Sequence, residues 1–345
     1  MTGRRRFQEI RKQAAILGIH MFTTVKAKHA SDVAQGIPVI PEDVLLLRMS
    51  TVGGDHMKFG SHVSIRDGYS GAAKLAASMN ASAFQYFPKN PRSLSIKDFN
   101  RDDAAACKHY CAGNGLESIA HTPYPTTLTP KTAPKRETVV DSLHNDLEIA
   151  NACGSLGIVV HFGKQISPDD PLASYRLMID MLNDVLREWK GNCKILLENT
   201  AGKPGTIGTT LEELIQVRNL CEHPEKIGFC LDTCHAFASG LWNGNNWNEV
   251  LDNGIELGYF DHLLAIHFNN SKYSPESGKD RHANIFDHGY ITTDQFDQLL
   301  HTPPLRDIPF ILETPKEEIS HKDEIKQLQE RWGDDKGNSG RKAER

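Results

Sequence analysis

Eight short apolar runs recur along the chain, at residues 58–63, 82–87, 117–120, 156–160, 194–197, 227–231, 262–266 and 309–312. Several are continuous and rich in Ile, Leu and Val, the pattern of strands buried on both faces. Between them lie longer segments of helical period. Val140, Leu143, Leu147 and Ala150 step by three and four and form one apolar stripe. Asp170–Pro171 predicts a helix start, followed by an apolar face of Leu172, Tyr175, Ile179, Leu182, Val185 and Trp189. Thr210 and Glu213 have the spacing of a capping box ahead of Leu214. Eight strands alternating with helices predict an α/β fold of the TIM (β/α)8-barrel type, whose usual size is about 250 residues. A doubly wound open sheet is the alternative, but no glycine-rich phosphate loop follows the first strand.

The regular pattern begins only at Met57. In the first thirty residues Arg4, Arg5, Arg6, Arg11, Lys12, Lys26 and Lys28 face a single acid, Glu9, and Pro38, Pro41, Gly53 and Gly54 then interrupt the segment. Residues 1–56 are expected to be a poorly ordered basic extension, dispensable or upstream of a start at Met57; a nuclear or mitochondrial address is the other reading. The barrel domain is expected over 57–331 and a polar, disordered tail over 332–345. No apolar run approaches the ~20 residues needed to span a bilayer, so no membrane partner is expected. Seven cysteines, an odd number in a long chain, argue for reduced thiols in a cytoplasmic protein. The formal charge of −5 does not exclude a nucleic-acid partner, because three bound divalent ions would bring it to about +1.

The chemistry sits where the apolar runs stop. Six of them end in His121, His161, Glu198, Asp232, His267 and Glu313. With 16 histidines and 44 acidic residues among 345, such residue types make up about one position in six, so six consecutive hits are not a chance pattern. In a barrel these positions share the C-terminal rim, where active sites lie. His235, three residues after Asp232, would return over the same bowl on a helical turn. Asp280 and His282, two apart, would share one side of an extended segment. Any of these histidines alone is more often a hydrogen-bonded core residue, and only the joint pattern argues otherwise. Five histidines and four carboxylates without a cysteine suit catalytic zinc or manganese, and exceed what one ion needs.

These residues lie in strings that resemble the endonuclease IV family. The strings are Gly60-Ser-His-Val-Ser64, Lys89-Asn-Pro-Arg92, His121-Thr-Pro-Tyr124, Leu197-Glu-Asn-Thr-Ala-Gly202, Leu231-Asp-Thr-Cys-His-Ala-Phe-Ala238, His267-Phe-Asn-Asn-Ser-Lys272, Asp280-Arg-His282 and Leu312-Glu-Thr314. They occur in family order and cover residues 58 to about 320. The resemblance implies a zinc-dependent apurinic/apyrimidinic endonuclease of DNA repair, acting as a monomer on double-stranded DNA. It implies hydrolysis 5′ to an abasic site, leaving a 3′-hydroxyl and a 5′-deoxyribose phosphate, with trimming of 3′-blocking groups as a further activity. Three zinc ions are implied, with manganese as an alternative at one site. His121, His161 and Glu198 would hold the first, Glu198, Asp232, His267 and Glu313 the second, and His235, Asp280 and His282 the third. Glu198, Asp232 and Glu313 would be the catalytic carboxylates. Lys89, Asn90, Arg92, Tyr124 and Lys272 would contact DNA. The chain departs from the family pattern at Ser93, Pro125, Phe162-Gly-Lys164, Lys203-Pro-Gly205 and Asn270. A divalent-metal sugar isomerase or epimerase on the same barrel is the competing enzyme class.

Overall fold

A computed structural model of the chain describes residues 57–286 and 289–333. All eight predicted strands are present: β1 (Phe59–His62), β2 (Ala83–Tyr86), β3 (Glu117–His121), β4 (Gly157–His161), β5 (Lys194–Glu198), β6 (Ile227–Asp232), β7 (Leu263–His267) and, after a small hairpin of β8 (Asn270–Ser271) and β9 (His282–Ala283), β10 (Phe310–Leu312). They pair in parallel in the cyclic order β1-β2-β3-β4-β5-β6-β7-β10 and close into a barrel. At Gly60 any Cβ would lie 1.7 Å from the carbonyl oxygen of Ala83, so only glycine admits the β1–β2 approach.

Nine α-helices occur among the described residues. Those the site needs are α1 (Gly68–Ser78), α2 (Arg101–Asn114), α3 (Ala133–Cys153), α4 (Ala173–Arg187), α5 (Leu211–Leu220), α6 (Thr233–Ser239) and the last, α9 (His321–Trp332); α7 (Trp247–Glu256) and α8 (Thr293–Leu300) complete the set. Thr210 and Glu213 form the expected capping box on α5. On α4 the buried face is rotated from the expected stripe: Met178, Met181, Leu182, Val185 and Leu186 point inward, while Leu172 and Ile179 are only half-buried. Methionine fills the irregular space that the sequence stripe assigned to branched residues.

The barrel has two apolar layers. Ala83, Ile119, Val159, Leu196, Cys230, Ala265 and Ile311 fill its lumen, and a larger core lies between the strands and the helices. Side chains alternate along a strand, so two residues beyond each lumen residue the next inward position is reached. Those positions are Gln85, His121, His161, Glu198, Asp232, His267 and Glu313. The lumen packing thus supports a polar layer at the C-terminal ends of the strands.

The last helix runs one residue past 331, where the barrel domain is expected to end. Trp332 belongs to α9, stacks on Phe286 with ring centroids 5.3 Å apart, and donates its Nε1–H to Asp297. The half-buried ring ties this residue to the fold past the point where the composition turns polar. The expectations for residues 1–56 and 334–345 lie outside the described residues. No helix among the described residues is long and apolar enough to cross a membrane. All seven cysteines are unpaired and buried.

Candidate metal centre

The nine predicted ligands converge. Three groups have one donor atom per residue within 4.8 Å of one another: His121, His161 and Glu198; Glu198, Asp232, His267 and Glu313; and Asp232, His235 and His282. Glu198 belongs to the first two and Asp232 to the last two, so two carboxylates link the groups into one cluster. Asp280, expected in the third group, lies beside it, with Oδ1 3.3 Å from His235 Nε2 and 3.6 Å from His282 Nε2.

Each histidine but one has a nitrogen committed elsewhere. His121 Nδ1 donates to the Thr122 carbonyl at 2.8 Å, and His235 Nδ1 to the Asn199 carbonyl at 3.0 Å. His282 Nδ1 lies 3.2 Å from the Glu313 carbonyl. His267 is fixed at the other nitrogen: Nε2 meets Gln85 Oε1 at 2.7 Å, and Nδ1 faces Glu198 Oε1 at 2.8 Å. The free nitrogens therefore all point into the cluster, the arrangement that orients imidazole toward a cation. His161 is the exception, half-exposed, with Nε2 3.2 Å from Glu198 Oε2.

The carboxylates are likewise held from behind. Asp232 caps α6, its Oδ1 accepting the His235 N–H at 2.6 Å, while Asn269 donates to Oδ2 at 2.9 Å. Gln85 donates to Glu313 Oε1 at 2.7 Å. Burial alone would raise the Glu198 and Glu313 carboxyls. Neighbouring histidines, His267 foremost, hold Glu198 well below the usual carboxylate range and Glu313 at about 2. Burial opposes charge on His235 and His267 too, but Asp232 and its neighbours at His235, and Cys230, Glu313 and Glu198 at His267, raise both well above the ordinary histidine value. In the metal-free cluster, protons on the histidines do the neutralising that a cation would do.

Two atoms of the cluster are left with bonding capacity that a cation could take up. Glu198 Oε2 is buried and accepts no well-aligned hydrogen bond, although imidazole nitrogens stand 3.2 and 3.8 Å away. His282 Nε2 is also buried without a hydrogen-bond partner, 3.6 Å from Asp232 Oδ2. Buried polar atoms are rarely left unsatisfied. A donor set of imidazole and carboxylate with its free atoms aimed at common points fits divalent zinc.

The cluster opens into a cavity of about 350 Å³, lined also by His62, Phe87, Tyr124, Lys316 and His321. Burial pushes His62 and His321 down to about 4, so both walls are neutral near pH 7. Tyr124 is 67% exposed and its ring meets Phe87 edge-on at the mouth. Asn90, Arg92 and Lys272 are in rim loops, and the Asn90 side chain accepts the Arg92 N–H. Lys89 is the exception among the expected DNA contacts. It is 3% exposed, its Nζ donates to Ser142 Oγ and carbonyl at 2.9 Å each, and Asp146 Oδ1 lies 3.1 Å away. A buried carboxylate on α3 draws the ammonium inward, so Lys89 anchors its loop and offers nothing to a ligand. Gln85, Asn199 and Asn269, which hold the ligands, were not among the expected site residues. Each had a signal: a lone amide inside an otherwise apolar strand, or an asparagine one or two residues past a strand-end ligand.

A closed parallel barrel with a shared-carboxylate cluster of this kind at its C-terminal rim defines a metal-dependent barrel enzyme. Residues 73–334 match the family model described as the xylose isomerase-like TIM barrel. The chain is 39% identical over 270 residues to a probable endonuclease 4 of Symbiobacterium thermophilum, covering 78% of this chain and 97% of that protein. A probable endonuclease 4 of Methanosphaera stadtmanae is 33% identical, over 77% of this chain and 96% of its own length. Among solved structures, endonuclease IV from Thermus thermophilus superposes with a TM-score of 0.70 at 28% identity, over 79% of this chain and 98% of that one. The chain belongs to the endonuclease IV family. A D-tagatose 3-epimerase-like protein, 19% identical with a TM-score of 0.56, shares the fold alone.

Proposed function

We propose that this protein is a zinc-dependent endonuclease that cleaves double-stranded DNA on the 5′ side of abasic sites, leaving a 3′-hydroxyl and a 5′-deoxyribose phosphate. The observation that carries the reading is the cluster of three ligand groups joined through Glu198 and Asp232, open on one side to a cavity. Three zinc ions would sit there, held by His121, His161 and Glu198, by Glu198, Asp232, His267 and Glu313, and by His235 and His282 with Asp232 or Asp280. Bound in this way, paired divalent ions supply neutralisation of phosphate charge and acidification of water, which phosphodiester hydrolysis at neutral pH requires. Manganese at one position suits the same ligands.

The protein's own residues do the rest. Glu198 and Asp232 set the spacing of the groups, and Gln85, Asn199 and Asn269 keep the ligands in place before substrate arrives. Glu313 stays ionised beside His267 and acts as a ligand facing the cavity. Asn90, Arg92 and Lys272 receive the DNA backbone from rim loops, and Tyr124 packs against the extruded sugar. Extrusion is needed because the target bond is inaccessible in a stacked duplex, and a missing base lowers its cost. Trimming of 3′-blocked ends follows from the same geometry, since it breaks the same kind of bond. The sugar isomerase or epimerase reading leaves His235, Asp280 and His282 without a task.

A duplex with one abasic nucleotide and a 5′ label tests the proposal, using protein as purified with zinc and no added magnesium. A nick immediately 5′ of the lesion with an extendable 3′-hydroxyl is expected. An intact strand in the presence of folded, zinc-loaded protein overturns it.

A further inference from the structure

A second depression, of about 830 Å³, runs out from the metal centre and shares Tyr124, His161, His235 and Asp280 with it. Its walls are the loops after β3, β4 and β5. Four lysines line it, Lys131, Lys135, Lys164 and Lys203, and its one carboxylate is Asp280. Lys203 stands 3.6 Å from Asp280. Among the described residues, no carboxylate lies within ion-pair distance of Lys131, Lys135 or Lys164. Between the lysines the walls carry threonine, proline and glycine together with Phe162, Gln165, Ile166 and Asn199.

The loops are tied to one another rather than loose. Lys164 and Thr206 form an antiparallel bridge, and the Gln165 N–H donates to the Gly205 carbonyl at 2.8 Å. The Lys164 N–H donates to Thr129 Oγ1 at 3.0 Å, joining the β3 and β4 loops. Pro125, Phe162, Lys164 and the Lys203-Pro-Gly205 turn all lie on this wall.

Building on the endonuclease reading, we propose that this groove holds a single-stranded segment of the DNA substrate that leaves the metal centre beside the lesion. A depression of about 830 Å³ is too small to take in a whole duplex, whereas a strand of a few nucleotides fits. Basic grooves with an aromatic platform are how proteins hold single strands without reading sequence. The unpaired ammonium groups supply the first element and the exposed Tyr124 at the junction supplies the second. The occupied substrate is then an abasic nucleotide next to a single-stranded stretch, as at a frayed end, a gap or a flap.

The test uses the zinc-loaded full chain and three DNAs: a fully paired abasic duplex, and two in which the complementary strand stops at the abasic nucleotide, leaving the lesion strand single on its 5′ or its 3′ side. Binding is measured against salt for wild type and for the K131Q/K135Q/K164Q variant; Lys203 is left intact because it meets Asp280. For one tail polarity the wild type is expected to bind more tightly than the paired duplex. The variant is expected to lose that preference, with a salt slope lower by about 2 for three lost single-strand phosphate contacts. Its binding and nicking of the fully paired duplex should stay unchanged. Equal affinity of the wild type for all three DNAs overturns the groove assignment, as does an equal loss by the variant on every DNA. Tail-dependent binding by a protein that nicks none of them would sink the endonuclease reading and leave the groove standing.

Discussion

Gln85 contacts no proposed metal ion, yet its removal should cost the second one most of its affinity. The side chain is fully buried at the end of β2 and joins two ligands of that group, accepting from His267 Nε2 and donating to Glu313 Oε1, each at 2.7 Å. Replacing it by leucine keeps the bulk and removes both bonds, along with the 3.2 Å contact of its Nε2 to His62 Nδ1. His267 then loses the acceptor that keeps its proton on Nε2 and its Nδ1 lone pair toward the cluster, and Glu313 can turn away. Loss of such a supporting partner typically lowers metal affinity 10- to 100-fold, which is about 1.4–2.8 kcal/mol. One hydrogen bond to a charged group is worth about 1.5–3 kcal/mol, so the two routes to the magnitude agree if a single one of the two bonds dominates. The assay is elemental analysis of protein equilibrated against graded free zinc. Q85L should release one ion of three at 10- to 100-fold higher free zinc than wild type, with nicking restored by excess zinc. Release curves that superimpose on those of the wild type would refute the argument that His267 is held through its far nitrogen.

Stripped of metal, the protein should be most stable in mildly acidic solution. His235 and His267 titrate above their unfolded value, so the stability they lend is full below about pH 6.5 and is lost as pH rises through their folded values. Melting temperature should therefore fall from pH 6 to 9 without zinc and hold nearly level with it, and a metal-free protein insensitive to pH would contradict the neutralising role given to these protons. Removing one partner of the buried Lys89–Asp146 pair should be expensive: K89M is expected to lose about 3–5 kcal/mol in urea unfolding, and K89M/D146L to regain most of it. Burial outweighs Lys89 and already lifts the Asp146 carboxyl to about 7; without the ammonium it rises further, so the K89M deficit should reach that size only in alkaline solution and shrink as pH falls and the carboxyl takes a proton. Asp103 accepts the Tyr69 and Ser70 N–H groups at the start of α1, and D103A should cost about 1 kcal/mol near neutral pH. Burial pulls the Asp103 carboxyl up, but the Ser70 hydroxyl and those two N–H groups outweigh it and hold it below its ordinary value. Its contribution is therefore lost as pH falls through the folded value, and mutant and wild type should converge in acid below the ordinary carboxylate range.

Much of the site could be read from the sequence because a parallel barrel converts strand ends into neighbours. Six apolar runs ended in a ligand type, and all six residues meet in one layer. The alternation that puts Leu196 in the lumen puts Glu198 two residues on, and the same step from Ala83 gives Gln85. Gln85 shares the inward register of the ligands, but an amide is not a metal-ligand type and carries no such mark in the sequence. Lys89 failed for a different reason. A lysine in a rim loop looks exposed unless something inside calls for it, and that something was visible: Asp146 interrupts the stripe of Leu143, Leu147 and Ala150 on α3. A carboxylate on a helix face that must be buried needs a cation, and no sequence rule says which of the chain's cations will come.

The same geometry separates what can vary from what cannot. Ligands at the strand ends are set by the lumen packing beneath them, so a change there disturbs both the cluster and the barrel. Loops beyond the strand ends bear no such load. The loops after β3, β4 and β5 line one groove that opens on the metal centre. Hydrolytic chemistry can therefore stay constant while the form of DNA presented to it changes, because the two are carried by different parts of each β/α unit.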